Sequence, residues 1–254
     1  MEFNETDKNE CVYNTNGICS PKEILEKIGE ALEIDPDDPD QLIFQAKEQL
    51  GCETESCVIK RTLNDSTDVL DKYFKPPGPR NTTDLLDNFN IDNVLEMWAK
   101  KFDGFYHMYY QMIDFEDCST ELANVDLLEL KKKGYKSLGV VLNTDVHTGR
   151  GIHWFCLFCN LTSNPMTVEF FNSSGQSPRP EMHAWFIKIK RIMPVKIIIV
   201  SNIKHQKDTE SECGPYSLYY IWSRLNGIPH KVFNEKRIKD SKMIEFRKTL
   251  FRKE

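Results

Sequence analysis

One cysteine stands where its thiol could act as a nucleophile. Cys213 is followed by Gly214 and Pro215, and it begins a segment whose apolar residues recur at helical spacing. The free N–H groups and positive dipole end of a helix N-terminus favour a thiolate and can face an oxyanion. A cysteine at a helix start is still structural more often than reactive, so its interpretation depends on the residues that accompany it.

Three polar residues upstream supply the partners that a cysteine nucleophile needs. His153 lies where a turn enters a strand-like run, and Asn172 lies where another such run ends. Taken singly, they are typical of a structural histidine and a turn residue. Together with Cys213 they offer a base, an orienting group and a nucleophile, and the side-chain NH2 of Gln206 suits an oxyanion hole.

Other residues compete for the same roles. His147 and His205 are interpreted as surface or loop residues, although either could be mistaken for the base. Asp145 competes with Asn172 as the partner of the base.

Metal chemistry is disfavoured by the cysteine spacing. Cys156 and Cys159 lie three apart on a predicted strand and point to opposite faces, and the pair Cys52 and Cys57 has no second pair at zinc-finger spacing. Neither an H-E-x-x-H motif nor a glycine-rich phosphate loop occurs. We therefore predict no metal site and no cofactor.

The elements that position these residues change in type along the chain. Residues 1–75 predict a small helical unit, in which Ser20 to Glu23 form a capping box and Asp38-Pro39 opens a second helix that Gly51 closes. The proline-rich segment 75–80 excludes regular structure. We therefore predict a helical N-terminal arm domain over 1–75 and a second domain over 76–254.

The second domain mixes helices with strands. Strand-like runs occupy 138–142, 154–159, 168–171 and 195–200, and helical patterns occupy 92–101 and the segment from Cys213 to about Gly227. All six residues of 154–159 are apolar, which predicts a central strand buried on both faces. The pattern indicates an α+β fold.

Composition limits the protein classes further. With 40% apolar residues and 12 each of Gly and Pro in 254 residues, the chain is neither disordered nor fibrous, and no run is long enough to insert in a membrane. The N-terminus resembles no signal peptide, so we expect a cytosolic protein whose eight cysteines are mostly buried thiols. Nine Lys and Arg against four Asp and Glu after position 230 favour a solvated basic face over a nucleic-acid site.

The order His-Trp, Asn, Gln and then Cys-Gly resembles the superfamily of adenovirus proteases and deSUMOylating proteases, and within it the African swine fever virus type of polyprotein-processing protease. The resemblance covers roughly residues 50–254 and is weak before that. The segments that carry it are 51–57, 77–81, 88–92, 141–145 and 212–218.

This resemblance implies a papain-like, adenovirus-protease-like core with a central mixed β-sheet flanked by helices, plus a small N-terminal arm. It implies that Cys213 is the nucleophile, His153 the base and then the acid, and Asn172 the group that orients the imidazole. Gln206 and the Cys213 N–H would form the oxyanion hole. Here the spacer from Gln206 to Cys213 is one residue longer, and Glu210 within it cannot donate.

The resemblance also implies a substrate. Trp154 and Phe89 would flank a channel too narrow for a Cβ, which selects glycine by steric exclusion; the alternative is that both are ordinary core residues. The implied function is a viral cysteine endopeptidase that cleaves structural polyproteins after Gly-Gly, at Gly-Gly-Xaa sites, during virion maturation in the host cytoplasm (viral factories) and the virion. Stimulation by nucleic acid is not expected.

Three other functions fit the same residues. One is a deSUMOylase-like or deubiquitinase-like isopeptidase that acts on host conjugates. Another is an acetyltransferase that uses the same constellation. The last is a binding module that keeps the fold without catalysis.

Overall fold

The computed structural model of the chain describes residues 9–13, 17–35, 38–81, 83–207 and 211–253. The chain divides into two compact units: the helical unit, residues 1–82 with 245–254, and the sheet unit, residues 83–244. The division falls shortly after the proline-rich segment 75–80. Residues 245–254 join the helical unit, which local sequence patterns do not indicate.

The helical unit contains four short helices before the division. They are α1 (Lys22–Leu32), α2 (Pro39–Leu50), α3 (Glu55–Thr62) and α4 (Ser66–Tyr73). Asp38 caps α2 by accepting the N–H of Asp40, and Gly51 ends it at a φ of 62°, as predicted. The helices bury one apolar cluster, which includes Ile28, Leu42, Ala46, Val58 and Ile59.

The predicted capping box at α1 is wrong. Pro21 is the N-cap, and no side chain caps the helix. The buried carboxylate of Glu55 instead accepts the N–H groups of Cys19 and Ser20, each at 2.9 Å. A long-range partner that sequence cannot indicate thus binds the segment that leads into the helix.

The expectation that the cysteines are mostly thiols is also wrong for the helical unit. Cys11 pairs with Cys19 and Cys52 with Cys57, with Cα–Cα distances of 4.9 and 5.7 Å. Both distances fall in the range that a disulfide spans. The free cysteines are Cys118, Cys156, Cys159 and Cys213.

The sheet unit contains both helices and strands. Its elements are α5 (Asn88–Lys101), β1 (Phe105–His107), β2 (Gln111–Met112), α6 (Leu127–Lys132), β3 (Ser137–Asn143), β4 (Trp154–Asn160), β5 (Met166–Phe171), α7 (Pro180–Ile192), β6 (Val195–Val200), α8 (Cys213–Leu225), α9 (Val232–Glu235) and the first residues of α10 (Asp240–Leu250). Among the helices of the described residues, none combines the length and apolar character that a membrane span needs.

The six strands form one mixed sheet in the order β1-β3-β4-β5-β6, with β2 also paired to β3. β4 runs antiparallel to both β3 and β5, and β5 and β6 are parallel. Helices flank this sheet, which confirms the predicted α+β fold. β4 is central and buried along its middle, as its six apolar residues indicate.

The two faces of the sheet carry different helices. Alternate residues of β3, β4 and β5 join a core with Trp185 and Phe186 of α7. The opposite face packs on α8, where the ring of Phe171 stacks on Tyr220 at 4.5 Å. Gly139 allows this close approach, because a Cβ there would lie 3.1 Å from Ile221. α8 is therefore held rigidly against β3 and β4.

Candidate active site

Three chain segments meet at one edge of the sheet. Because β4 is antiparallel to β5 and β5 is parallel to β6, the start of β4 and the ends of β5 and β6 share that edge. His153 immediately precedes β4 and Asn172 immediately follows β5. α8 packs on β4 and begins at Cys213. The topology thus brings the predicted residues to one end of the sheet.

His153 is hydrogen-bonded to Asn172. Its Nε2 lies 2.7 Å from Asn172 Oδ1, which also accepts the N–H and the hydroxyl of Ser174 at 3.0 and 2.8 Å. Because an amide oxygen only accepts, Nε2 carries the ring proton. Nδ1 is then unprotonated, and its lone pair can accept a proton as a base must.

Hydrogen bonds join the two ends of the loop between β3 and β4, just before His153. Asn143 Oδ1 accepts the N–H groups of Asp145 and Ile152, and the Thr144 N–H donates to the His153 carbonyl at 2.9 Å. These bonds fix the backbone from which the imidazole projects. The histidine is therefore positioned by the sheet and not by a mobile loop.

The thiol of Cys213 is buried, with 4% of the residue exposed. Burial raises its pKa above the usual value, while hydrogen bonds from the backbone N–H groups of Trp154, Gly214 and Cys213 itself lower it in part. The bond from the Trp154 N–H joins the Cys213 sulfur to the backbone directly after His153. Gly214 packs tightly here, since a Cβ would lie 3.1 Å from the Cβ of Leu86.

The electrostatics favour a neutral resting pair. Burial lowers the pKa of His153 below 6.5, and the bond to Asn172 opposes this only in part. With the pKa of Cys213 raised, thiol and neutral imidazole coexist near pH 7. The helix dipole at Cys213 thus does not outweigh desolvation in the resting state, in contrast to the thiolate that its helix-start position favours.

Gln206 is held beside the same edge. Its backbone N–H donates to the Ser173 carbonyl at 3.1 Å, and its Oε1 accepts the Ser173 hydroxyl at 3.3 Å. The second bond fixes the orientation of the side-chain amide, whose Nε2 is the donor end. Glu210, which also belongs to the spacer before Cys213, lies outside the described residues.

Trp154 and Phe89 lie in segments that are joined by a hydrogen bond. Trp154 Nε1 donates to the Leu86 carbonyl at 3.0 Å, and its ring meets Tyr110 edge to face. Phe89 lies three residues beyond Leu86, in the first turn of α5, and is 70% exposed. The core interpretation is therefore wrong for Phe89, whereas Trp154 is half-buried.

The competing residues have other partners. Asp145 accepts the N–H groups of Val146 and Gly151, so it braces its own loop. His147 is exposed and contacts Asp114. His205 lies in the loop between β6 and α8, but it is not a surface residue: it is 1% exposed and bonds to the Phe233 carbonyl and the Ile238 N–H.

Sequence reasoning missed several supporting residues. Ser173 and Ser174 orient Gln206 and Asn172, and their position directly after Asn172 is a turn signal that could have indicated this. The Leu86 carbonyl, which fixes Trp154, carries no sequence signal. Glu212, which precedes the nucleophile candidate, is also buried.

Comparison with known proteins defines the class. The sequence model of the Ulp1 protease family, C-terminal catalytic domain, matches residues 138–254. This range includes the histidine, the asparagine and the cysteine described above. The protein is a cysteine protease of the SUMO-protease-like class.

Relatives over most of the chain narrow the assignment. The SUMO-1 cysteine protease of African swine fever virus (isolate Pig/Kenya/KEN-50/1950) is 39% identical over 82% of this chain and 86% of its own length. The cysteine protease of strain Badajoz 1971 Vero-adapted is 37% identical with the same coverage. The crystal structure of an African swine fever virus protease matches with a TM-score of 0.81 and 34% identity over 96% of both chains. The chain belongs to the family of these viral cysteine proteases.

Proposed function

We propose that the protein is a viral endopeptidase that cleaves structural polyproteins after Gly-Gly, with Cys213 as nucleophile, His153 as base and Asn172 as orienting group. The observation that carries this proposal is the bond between His153 Nε2 and Asn172 Oδ1. It leaves Nδ1 as the basic atom at the sheet edge where α8 begins with Cys213. A base, its partner and a thiol at a helix start form the set that acyl transfer needs.

The reaction proceeds by general-base attack. His153 Nδ1 removes the proton of the Cys213 thiol as the sulfur adds to the scissile carbonyl carbon. The imidazolium then donates this proton to the leaving amine as the C–N bond breaks, which leaves a thioester. Water, deprotonated by His153, hydrolyses the thioester and restores the thiol. Because Asn172 is neutral, it fixes the tautomer but stabilises the imidazolium less than a carboxylate would.

The oxyanion is stabilised by N–H donors. The Cys213 backbone N–H lies at the N-terminus of α8, where no intrahelical acceptor exists for it. Gln206, whose amide is oriented by Ser173, supplies the second donor from Nε2. Pro215 has no N–H, so the first turn of α8 has one backbone donor fewer that could take the place of the Cys213 N–H.

The substrate preference follows from the aromatic walls. Trp154 is fixed by its bond to Leu86 and its contact with Tyr110, and Phe89 exposes its ring on the adjoining segment. Two aromatic rings that close on an extended peptide exclude a Cβ and accept glycine. We infer that viral structural polyproteins with Gly-Gly-Xaa sites are the substrates.

A peptide panel tests this function. Peptides centred on Gly-Gly-Xaa, with each glycine changed in turn to alanine, are incubated with wild type, Cys213→Ala and His153→Ala. We expect cleavage after the second glycine, loss of cleavage in both variants and strong loss with either alanine peptide. His183→Ala, which removes an exposed histidine of α7, is the matched control and keeps activity. Cleavage by Cys213→Ala, or equal cleavage of the alanine peptides, would refute the proposal.

A second candidate rests on the relatives. Several of them carry the name SUMO-1 cysteine protease, which favours an isopeptidase that acts on folded conjugates. Such an enzyme gains binding energy from the folded modifier, so its kcat/KM for intact SUMO far exceeds that for the tail peptide. Equal values for both substrates support the polyprotein protease instead.

We further propose that the enzyme acts in viral factories of the host cytoplasm and in the virion. A free catalytic thiol suits the reducing cytoplasm, and the two disulfides of the helical unit suit an oxidising particle. Immunogold labelling of infected cells and purified particles is the test. Label confined to another compartment would contradict the proposal.

A further inference from the structure

A second cluster of reactive side chains lies in the sheet unit, built from residues that the proposed mechanism does not use. Asp114, Cys118 and His147 bring a carboxylate oxygen, a sulfur and a ring nitrogen within 4.8 Å of one another. Asp114 and Cys118 lie one helical turn apart, since the Cys118 N–H donates to the Asp114 carbonyl. His147 comes from the loop between β3 and β4. No sequence motif indicates this cluster, because 29 residues separate the cysteine and the histidine.

The geometry excludes a second catalytic triad. The Cys118 sulfur lies 3.4 Å from His147 Nδ1, and Asp114 Oδ2 lies 2.5 Å from the same nitrogen. In a triad the orienting group and the nucleophile face opposite ring nitrogens, as the Asn172 bond to Nε2 of His153 illustrates. Here both partners compete for one nitrogen, so the imidazole cannot be oriented by one while it deprotonates the other.

Convergence of three ligand atoms on one point is the arrangement of a metal site. We propose that Asp114, Cys118 and His147 bind a Zn²⁺ ion, with the fourth position open to solvent. Mixed sulfur, nitrogen and oxygen ligands suit Zn²⁺ and do not suit Mg²⁺ or Ca²⁺, which require oxygen ligands. In a tetrahedral zinc site a sulfur and a nitrogen ligand lie about 3.5 Å apart, close to the 3.4 Å observed.

Metal binding requires Asp114 and His147 to separate slightly. Asp114 Oδ2 and His147 Nδ1 are separated by a hydrogen-bond distance of 2.5 Å and would move to about 3.3 Å apart around the ion. The Asp114 carboxylate also accepts the His147 backbone N–H at 3.0 Å, so its position relative to the loop is already fixed. The ion would take the place of the hydrogen bond between Asp114 and His147.

The surrounding charge attracts a cation. The carboxylates of Asp114 and Asp117 act electrostatically on Cys118, so the cluster lies in a field of negative charge. Lys188 does not cancel this negative charge, because it pairs with Glu116 at 2.7 Å. His147 is 61% exposed at its side chain, which leaves the ion a path from solvent.

Cobalt substitution tests the proposal. The full chain carries Cys213→Ala, because the catalytic thiol and His153 could also bind metal, and it is kept without reductant under nitrogen so that the disulfides persist. Co²⁺ is titrated while the thiolate-to-cobalt charge-transfer band and the visible bands of tetrahedral Co²⁺ are recorded. We expect one Co²⁺ per chain and its displacement by Zn²⁺.

Variants assign the ligands. In the same background, Cys118→Ala should abolish the thiolate band, and His147→Ala and Asp114→Asn should each weaken binding at least about 10-fold. His183→Ala, an exposed histidine of α7, is the matched control and should bind Co²⁺ as the parent does. Circular dichroism verifies that each variant is folded. Absence of a thiolate band in the parent, its persistence in Cys118→Ala, or unchanged affinity in His147→Ala would overturn the proposal.

Discussion

The change Asn172→Asp tests the central hydrogen bond of the site by adding one charge to it. Asn172 is 3% exposed and its Oδ1 lies 2.7 Å from His153 Nε2. A carboxylate at this position stabilises the imidazolium and therefore raises the pKa of His153, which burial holds below 6.5 in the wild type. The base must be neutral to accept the thiol proton, so the acid limb of kcat/KM moves to higher pH.

The magnitude follows from the surroundings. An opposite charge in contact shifts a pKa by about 1–3 pH units. The new carboxylate, however, replaces the amide Nδ2 that faces the Gln176 carbonyl at 3.4 Å, and an oxygen there is repelled. The carboxylate is also buried, which reduces its own ionisation. We therefore expect the acid limb to move upward by about 1–2 pH units.

The assay is kcat/KM for a fluorogenic Gly-Gly peptide from about pH 4.5 to 9, a range that spans the usual His pKa. Asp145→Asn is the matched control, because it removes a carboxylate from the loop that leads to His153 without touching the imidazole. Asn172→Ala should lower kcat by about 100-fold without moving the limb upward, since the tautomer is no longer fixed. An acid limb that stays in place in Asn172→Asp would refute the assignment of His153 and Asn172 as the catalytic pair.

Three further predictions concern substrate binding, packing and stability. Phe89→Ala should raise KM about 10-fold with little change in kcat or Tm, because the side chain is 70% exposed. Steady-state kinetics measure this with the similarly exposed Phe44→Ala as control, and an unchanged KM would contradict it. Gly214→Ala should lower kcat/KM by about 10- to 100-fold, because its Cβ would meet Leu86 at 3.1 Å and displace the start of α8; activity equal to wild type would contradict this. Glu169→Ala should reduce the free energy of unfolding by about 3–5 kcal/mol, because it leaves Arg224 without its buried partner at 2.7 Å. Urea denaturation measures this, and the exposed pair of Lys136 with Asp103 is the control, where Asp103→Ala should leave the free energy of unfolding nearly unchanged.

Local patterns predicted the elements that carry the site. The six apolar residues of β4 set its position between two antiparallel neighbours, and the apolar spacing after Cys213 set the start of α8. Asp38 and Gly51 bounded α2 because both of its caps are made by residues at the ends of the helix itself. The pairing of His153 with Asn172 was predicted from their positions at strand ends and from the family resemblance, and the structure places the two side chains in contact.

Features that depend on distant residues were not predicted. Glu55 binds the segment before α1 from 35 residues away, which the pattern at Ser20 cannot reveal. His205 is buried because α8 and the segment around Phe233 enclose its ring. The disulfides of the helical unit were disfavoured by an argument from cellular compartment, which says nothing about the short Cα–Cα distances that the folded chain brings about.

The cluster of Asp114, Cys118 and His147 illustrates the same limit. Metal motifs are recognised by close sequence spacing, whereas these three side chains meet only because a turn after β2 and the loop between β3 and β4 lie side by side. Three-dimensional convergence, not spacing, identifies such a site. Thus the proposed catalytic residues, which lie next to the ends of strands and at the start of a helix, could be predicted from the sequence, and the cluster could not.

The most direct test of the central claim is to identify the cysteine that reacts with a substrate-like electrophile. A peptide that ends in Gly-Gly and carries a vinyl methyl ester is incubated with the native enzyme, and the modified residue is mapped by mass spectrometry among the four free cysteines. We predict modification of Cys213 alone, abolished by His153→Ala and unaffected by His183→Ala. Modification of the exposed Cys118 in preference to the buried Cys213, or equal labelling after His153→Ala, would contradict it.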